Sequence, residues 1–140
     1  MKIEGFVDSR GHCFFRTIFI CGQLEEPTTI LLMLDTGATT STILDGDCER
    51  LGLNCKELSK TDEPTRIVGA EIYPHVLPDV AFVFIDNKRK LRGIRLESVE
   101  VIEQTEDSPR PFFSLMGLDI VKQFNKMTYE PRKGKITLER

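Results

Sequence analysis

The chain reads as an all-β fold with one or two short helices, and three observations predict it. Runs rich in aromatic and β-branched residues, CFFRTIFIC at 13–21 and TTILLML at 28–34, flank a polar turn at 22–27, the pattern of a β-hairpin. Residues 91–102 alternate apolar and polar side chains, with Ile94, Leu96, Val99 and Val101 as the apolar set. Helical signals are confined to a short segment after Asp45 and another after Gly117.

Taken in order, the elements follow from local chemistry. Leu31 to Leu34 is a continuous apolar run of the kind expected for a buried strand, and Thr36-Gly37-Ala38 offers small side chains where the backbone must bend. A strand resumes at Ser41-Thr42-Ile43-Leu44, and Asp45 offers a cap for a short helix ending near Gly52. Segments 66–73 and 76–85 are strand-like arms around Gly69, interrupted at Pro74 and Pro78. In 91–102 the alternation slips once between Leu96 and Val99, which predicts a bulge. Residues 103–111 are charged and proline-bearing, hence a loop, and 112–116 turn apolar again. Past Gly117, the spacing of Ile120, Val121 and Phe124 predicts a helix of about two turns over 118–125. Asp119 falls in its first turn, where the helix dipole favours an anion. Short strands at 127–130 and 135–138 surround a turn at 131–134, and no internal repeat suggests a solenoid.

Composition narrows the function classes. The 140 residues fit a single domain, 1–140, with mass for one hydrophobic core. A net charge of -3 gives no basic footprint for nucleic acid, and the basic run Lys88-Arg89-Lys90-Leu91-Arg92 reads as a hairpin tip. No apolar stretch approaches the roughly 18 residues of a membrane span. The N-terminus carries an acidic residue and two glycines where a signal peptide is apolar, so the expected location is cytoplasmic. Four cysteines, Cys13, Cys21, Cys48 and Cys55, form no C-x-x-C pair and read as reduced, partly buried thiols. His12 and His75 each stand apart from other ligand types, so no metal is expected.

The chemistry concentrates in LLMLDTGATTSTIL at 31–44, where Asp35 ends an apolar strand directly before a glycine-containing turn. SLMGLDIVKQF at 114–124 repeats the logic: an apolar strand end, Gly117, then helical spacing. Together the two segments resemble the signature motifs of the retropepsin-like aspartic proteases. The likeness spans about residues 13–138, and the two motifs carry it.

Such enzymes hydrolyse a peptide bond without metal or covalent intermediate: one carboxylate deprotonates a water while a second, protonated carboxyl polarises the carbonyl. Two carboxyls about 3 Å apart share one proton and titrate as a unit. The chain has one Asp-Thr-Gly and no second Asp-Thr-Gly or Asp-Ser-Gly, so it holds half of such a pair. A two-fold homodimer supplies the rest, because a symmetric interface sets the same residue of both subunits beside the axis.

The resemblance implies a retropepsin-like barrel with a half-site per chain. Asp35 is the catalytic residue, Thr36 braces the paired turns, Gly37 permits close backbone approach, and Ala38 completes the turn. Leu115-Met116-Gly117 packs beneath that turn. A flap is implied over 66–83, with Val68, Gly69 and Ala70 as substrate-binding residues at its tip. The implied substrate is an extended polypeptide, with no cofactor, nucleic acid or membrane involved. Many viral relatives carry an arginine after the motif glycine; here Leu118-Asp119 stands in its place. An interface sheet built from chain ends points to 135–138, or to 1–7. The alternative is an inactive domain of the same fold that binds extended peptides or serves as a dimerisation module.

Overall fold

The computed structural model describes residues 1–67, 70–102 and 113–140. In chain order its strands are β1 (Lys2–Val7), β2 (Cys13–Cys21), β3 (Thr28–Leu34) and β4 (Thr42–Leu44), followed by helix α1 (Asp45–Leu51). Then come β5 (Ser59–Lys60), β6 (Thr65–Ile67), β7 (Ala70–Ile72), β8 (His75–Ile85), β9 (Leu91–Ile102) and β10 (Ser114–Met116). Helix α2 (Leu118–Val121), β11 (Lys126–Glu130) and β12 (Lys135–Glu139) complete the chain. Among the described residues, ten strands form one sheet in the order β11-β12-β1-β2-β3-β10-β4-β9-β8-β5, and a β2–β8 pairing closes six of them into a barrel. The barrel is mixed, since β10 runs parallel to β3 and β4 parallel to β9.

Period-two alternation decides what faces inward. Along β2, Phe15, Thr17, Phe19 and Cys21 are buried while Arg16 and Ile20 are exposed. Phe82 and Phe84 of β8, Leu32 of β3, Ile43 of β4, Val101 of β9 and Met116 of β10 meet them in the same core. Thr17 is tolerated there because its hydroxyl donates to the Val83 carbonyl at 3.1 Å.

The hairpin of β2 and β3, the strand β9 and the basic hairpin tip between β8 and β9 lie where the sequence predicts them. Three local expectations change. Asp45 is the first residue of α1 rather than its cap; Leu44 holds the cap position with no side-chain hydrogen bond. The helix after Gly117 spans Leu118–Val121, shorter than two turns, because the bonds from Gln123 and Phe124 reach back only three residues. The slip between Leu96 and Val99 is a change of face without a one-sided insertion. Leu77 pairs with Val99 and Val80 with Leu96, so Asp79 and Glu97 are each left over opposite one another. Asp79 takes a left-handed conformation with φ 54, and both strands switch faces together.

The chain ends also depart from expectation. β12 pairs with β1 along one edge and β11 along the other. β1 continues into pairing with β2 at Phe6 and Val7, and its Ile3 bridges Asp86. Neither 135–138 nor 1–7 therefore offers a vacant edge for an intersubunit sheet. Among the described residues, the outer strand on this side is β11.

Asp86 fixes the β8–β9 tip to the sheet. Its carboxylate accepts the backbone N–H groups of Lys88 at 2.8 Å and Lys90 at 2.9 Å and the Arg92 Nε at 2.8 Å, and Asn87 N–H donates to the Lys2 carbonyl. The Lys90 and Arg92 hydrogen bonds lower its pKa from 3.8 to about 2. A carboxyl held lower in the folded state than in the unfolded chain contributes stability above the ordinary value and loses it as pH falls toward the folded one. Thermal melts of the protein and of Asp86→Asn across pH should therefore differ most above about pH 4 and converge as pH approaches 2.

Candidate active site

Strands β3 and β4 are consecutive in sequence but not neighbours in space, because β10 lies between them. Residues 35–41 must therefore arch over the end of β10. The arch is pinned at both feet. Asp35 N–H donates to the Met116 carbonyl at 3.0 Å, continuing the parallel pairing of Leu34 with Met116. At the far foot Gly117 N–H donates to Ser41 Oγ at 2.9 Å, and between them Leu118 N–H reaches the Ala38 carbonyl at 2.8 Å. Gly117 is where the arch crosses. A Cβ there would stand 2.5 Å from the Thr40 carbonyl carbon and 2.8 Å from Ser41 N, backbone atoms with no room to yield.

Asp119 locks the crossing. Its Oδ1 accepts the Ser41 hydroxyl at 2.6 Å and the Ile120 N–H at 2.9 Å, while Oδ2 accepts the Ser41 N–H at 2.8 Å. The fully buried Ser41 hydroxyl thus donates to Asp119 and accepts from Gly117, joining the arch to the start of α2. Behind it lies Glu100 of β9, whose N–H donates to the Ser41 carbonyl at 3.3 Å. Burial raises the Glu100 carboxyl above its ordinary 4.5, and the nearby Asp119 charge adds to this, against a hydrogen bond from the Thr40 side chain.

At the crest, Asp35 Oδ1 accepts the Gly37 N–H at 2.9 Å and the Asp35 carbonyl accepts the Ala38 N–H at 3.1 Å. Asp35 and Ala38 are half-buried, and Thr36 and Gly37 are exposed. The fold thus brings Asp35, Thr36, Gly37 and Ala38 into one arch with Leu115, Met116 and Gly117 beneath it. Of the three residues expected at the flap tip, Val68 and Gly69 lie outside the described residues. Ala70 pairs with Ile67 at the end of a β6–β7 hairpin that includes Arg66↔Glu71 and Thr65↔Ile72.

Two features escape sequence reasoning. One is the Ser41–Asp119 lock, visible only once the arch is known to cross the β10–α2 junction. The other is an apolar strip on the outer face, beginning two residues before Asp35. Met33 pairs with Leu115 of β10 and with Phe14 of β2, while the residues next in each strand, Leu32, Met116 and Phe15, are fully buried on the inner face. Phe14 in turn packs edge-on against Phe113 at 4.8 Å and stacks on Phe6 at 5.3 Å. The signal that could have found the strip is the alternation of 31–34 once its register with β2 is fixed.

No protein-family model and no curated protein sequence matches the chain. A retropepsin-like aspartic protease from Rickettsia conorii matches in structure with a TM-score of 0.65, covering 99% of this chain and 89% of that one at 16% identity. The chain has a retropepsin-like fold. At that identity the likeness is one of fold, and it extends over nearly every residue that builds the barrel, the arch and the terminal strands. The retroviral protease-like domain of Ddi1 from Leishmania major matches at a TM-score of 0.48 and 16% identity, covering 89% of this chain and 87% of that one.

Two measurements test the arch of this retropepsin-like fold. Ser41→Ala leaves the buried Gly117 N–H without its acceptor and should cost about 1–3 kcal/mol in urea denaturation. Glu100→Gln removes a charge that the fold partly desolvates. It should raise the melting temperature at neutral pH, and the gain should fade as pH falls to 4.5 and below, where the native carboxyl is already protonated.

Proposed function

We propose that the protein is an aspartic endopeptidase that acts as a homodimer, the Asp35 carboxyls of both subunits meeting at the two-fold axis. The observation that carries this reading is the presentation of Asp35. One oxygen is held by the Gly37 N–H at 2.9 Å, on a turn whose crest is exposed and whose feet are pinned to β10. Among the described residues no second carboxylate is placed against this one, and the single D-T-G makes a second copy its natural complement.

In the dimer, the ionised Asp35 takes a proton from the water lying between the two carboxyls as that water attacks the scissile carbonyl. The protonated Asp35 hydrogen-bonds the carbonyl oxygen and stabilises the negative charge that develops there. The proton gained by the first carboxyl then passes to the leaving amine. The chemistry uses carboxyls and water, with no cofactor. Thr36, exposed at the crest, braces one turn against its counterpart, and the backbone of Gly37 and Ala38 borders the bound chain. The substrate is an extended polypeptide. Its backbone pairs with strands β6 and β7, with Val68, Gly69 and Ala70 as the proposed substrate-binding residues, and an apolar side chain beside the scissile bond rests on the strip of Met33, Leu115 and Phe113.

Asp35→Asn tests the assignment with little structural disturbance, because the amide oxygen still accepts the Gly37 N–H. Cleavage of an unstructured polypeptide at mildly acidic pH should fall by roughly a thousandfold or more. Far-ultraviolet circular dichroism and the sedimentation coefficient should not change. Retained cleavage in this variant, or a wild-type protein that stays monomeric at working concentration, would remove the proposal.

A further inference from the structure

Cys48 and Cys55 share no redox spacing in sequence, yet the fold sets their sulfurs against each other. Gly52, with φ 73, ends α1 in a left-handed turn that few other residues adopt, and its N–H bonds the carbonyls of Cys48 and Glu49. Leu53 N–H also donates to the Cys48 carbonyl at 3.0 Å. The chain then enters a 3-10 turn at Cys55–Glu57, capped by the Asn54 side chain, while Asn54 N–H is held by Gln23 Oε1 at 3.2 Å. The result is a Sγ–Sγ contact of 2.8 Å with Cys48 and Cys55 only 2% and 6% exposed. The remaining cysteines have no such arrangement with each other. Cys13 and Cys21 close the two ends of β2, a separation of about 26 Å at the rise of an extended strand.

We propose that Cys48 and Cys55 form a reversible thiol–disulfide pair, an oxidation site that closes in response to a small-molecule disulfide such as oxidised glutathione. Cys55, the more exposed of the two, attacks one sulfur of the oxidant as a thiolate. The oxidant's S–S bond breaks, a mixed disulfide forms on Cys55, and one glutathione thiolate leaves. Cys48 thiolate then attacks the Cys55 sulfur and displaces the second glutathione. The two protein thiol protons end on the two glutathione thiols, so two protein thiols are oxidised and one small-molecule disulfide is reduced. Access requires a local opening at the end of α1, a seven-residue helix without a side-chain N-cap. Once closed, the bond fastens α1 to the turn that follows it. Asp47 on the same helix accepts the Ser114 hydroxyl at 2.5 Å, so the fastened helix is also the one that holds the base of β10.

The experiment is independent of proteolysis. The purified protein is equilibrated with oxidised glutathione, quenched, and titrated for thiols in denaturant, and the count should fall from four to two. Trypsin, cutting after Arg50 and Lys56, should then release peptide 51–56 joined to peptide 17–50, and dithiothreitol should separate them. Because peptide 17–50 also contains Cys21, the same digest of Cys21→Ser is run alongside, and the link should persist. Loss of the link in Cys21→Ser would overturn the pair. So would glutathione adducts on Cys48 or Cys55 without an internal bond, or four thiols surviving the most oxidising buffer.

Discussion

The placement of β10 between β3 and β4 is the constraint on which the rest of the site depends. Consecutive strands separated by a third cannot be joined by a tight hairpin, so the connection has to pass over the intruding strand's end. The carbonyl of Met116 and the N–H of Gly117 are the first backbone groups it meets there, and they bond to Asp35 and Ser41 respectively. A backbone group at a strand end normally turns to water. Here each one is satisfied by the loop above, and the loop gains a fixed height and orientation from it. The side chain at 35 inherits that rigidity.

Much of this was legible in the sequence because its causes are local. Alternation and β-branched content place β2, β3 and β9, and the pairing of an apolar strand end with a glycine marks both Asp35 and Gly117. What was not legible depends on long-range register. The Ser41–Asp119 lock joins residues 78 positions apart, and nothing in either segment alone announces the other. The shortening of α2 is similar: its spacing would support a longer helix, but the chain is needed at Lys126 to begin β11. The terminal strands have the composition of edge strands, and only the sheet order reveals that β12 sits inside. The same holds for Cys48 and Cys55, whose spacing suggests nothing until the turn at Gly52 folds one back on the other.

Electrostatics around the arch follow from the same crowding. Asp119 and Glu100 both bond to Ser41, the first through its carboxylate and the second through its backbone N–H. The fold treats them differently. Asp119 is given three donors and stays at the helix start, where the backbone N–H groups favour it, whereas Glu100 is partly desolvated and shares Thr40. The hydroxyl residues Thr40 and Ser41 thus mediate between the acidic groups and the backbone of the loop.

The β8–β9 ribbon carries a different lesson. Each strand sets aside one residue, Asp79 or Glu97, and the two omissions face each other, so the ladder keeps its count while its sides exchange. The ribbon is in effect a half-twisted band whose two lengths share a single interior. Deleting a residue from one strand would misalign everything beyond it. Deleting both would restore a plain alternating ladder with Phe82, Phe84 and Ile94 still facing inward. Length changes along the sides of this ribbon are therefore tolerated only as opposed pairs, one residue from each strand.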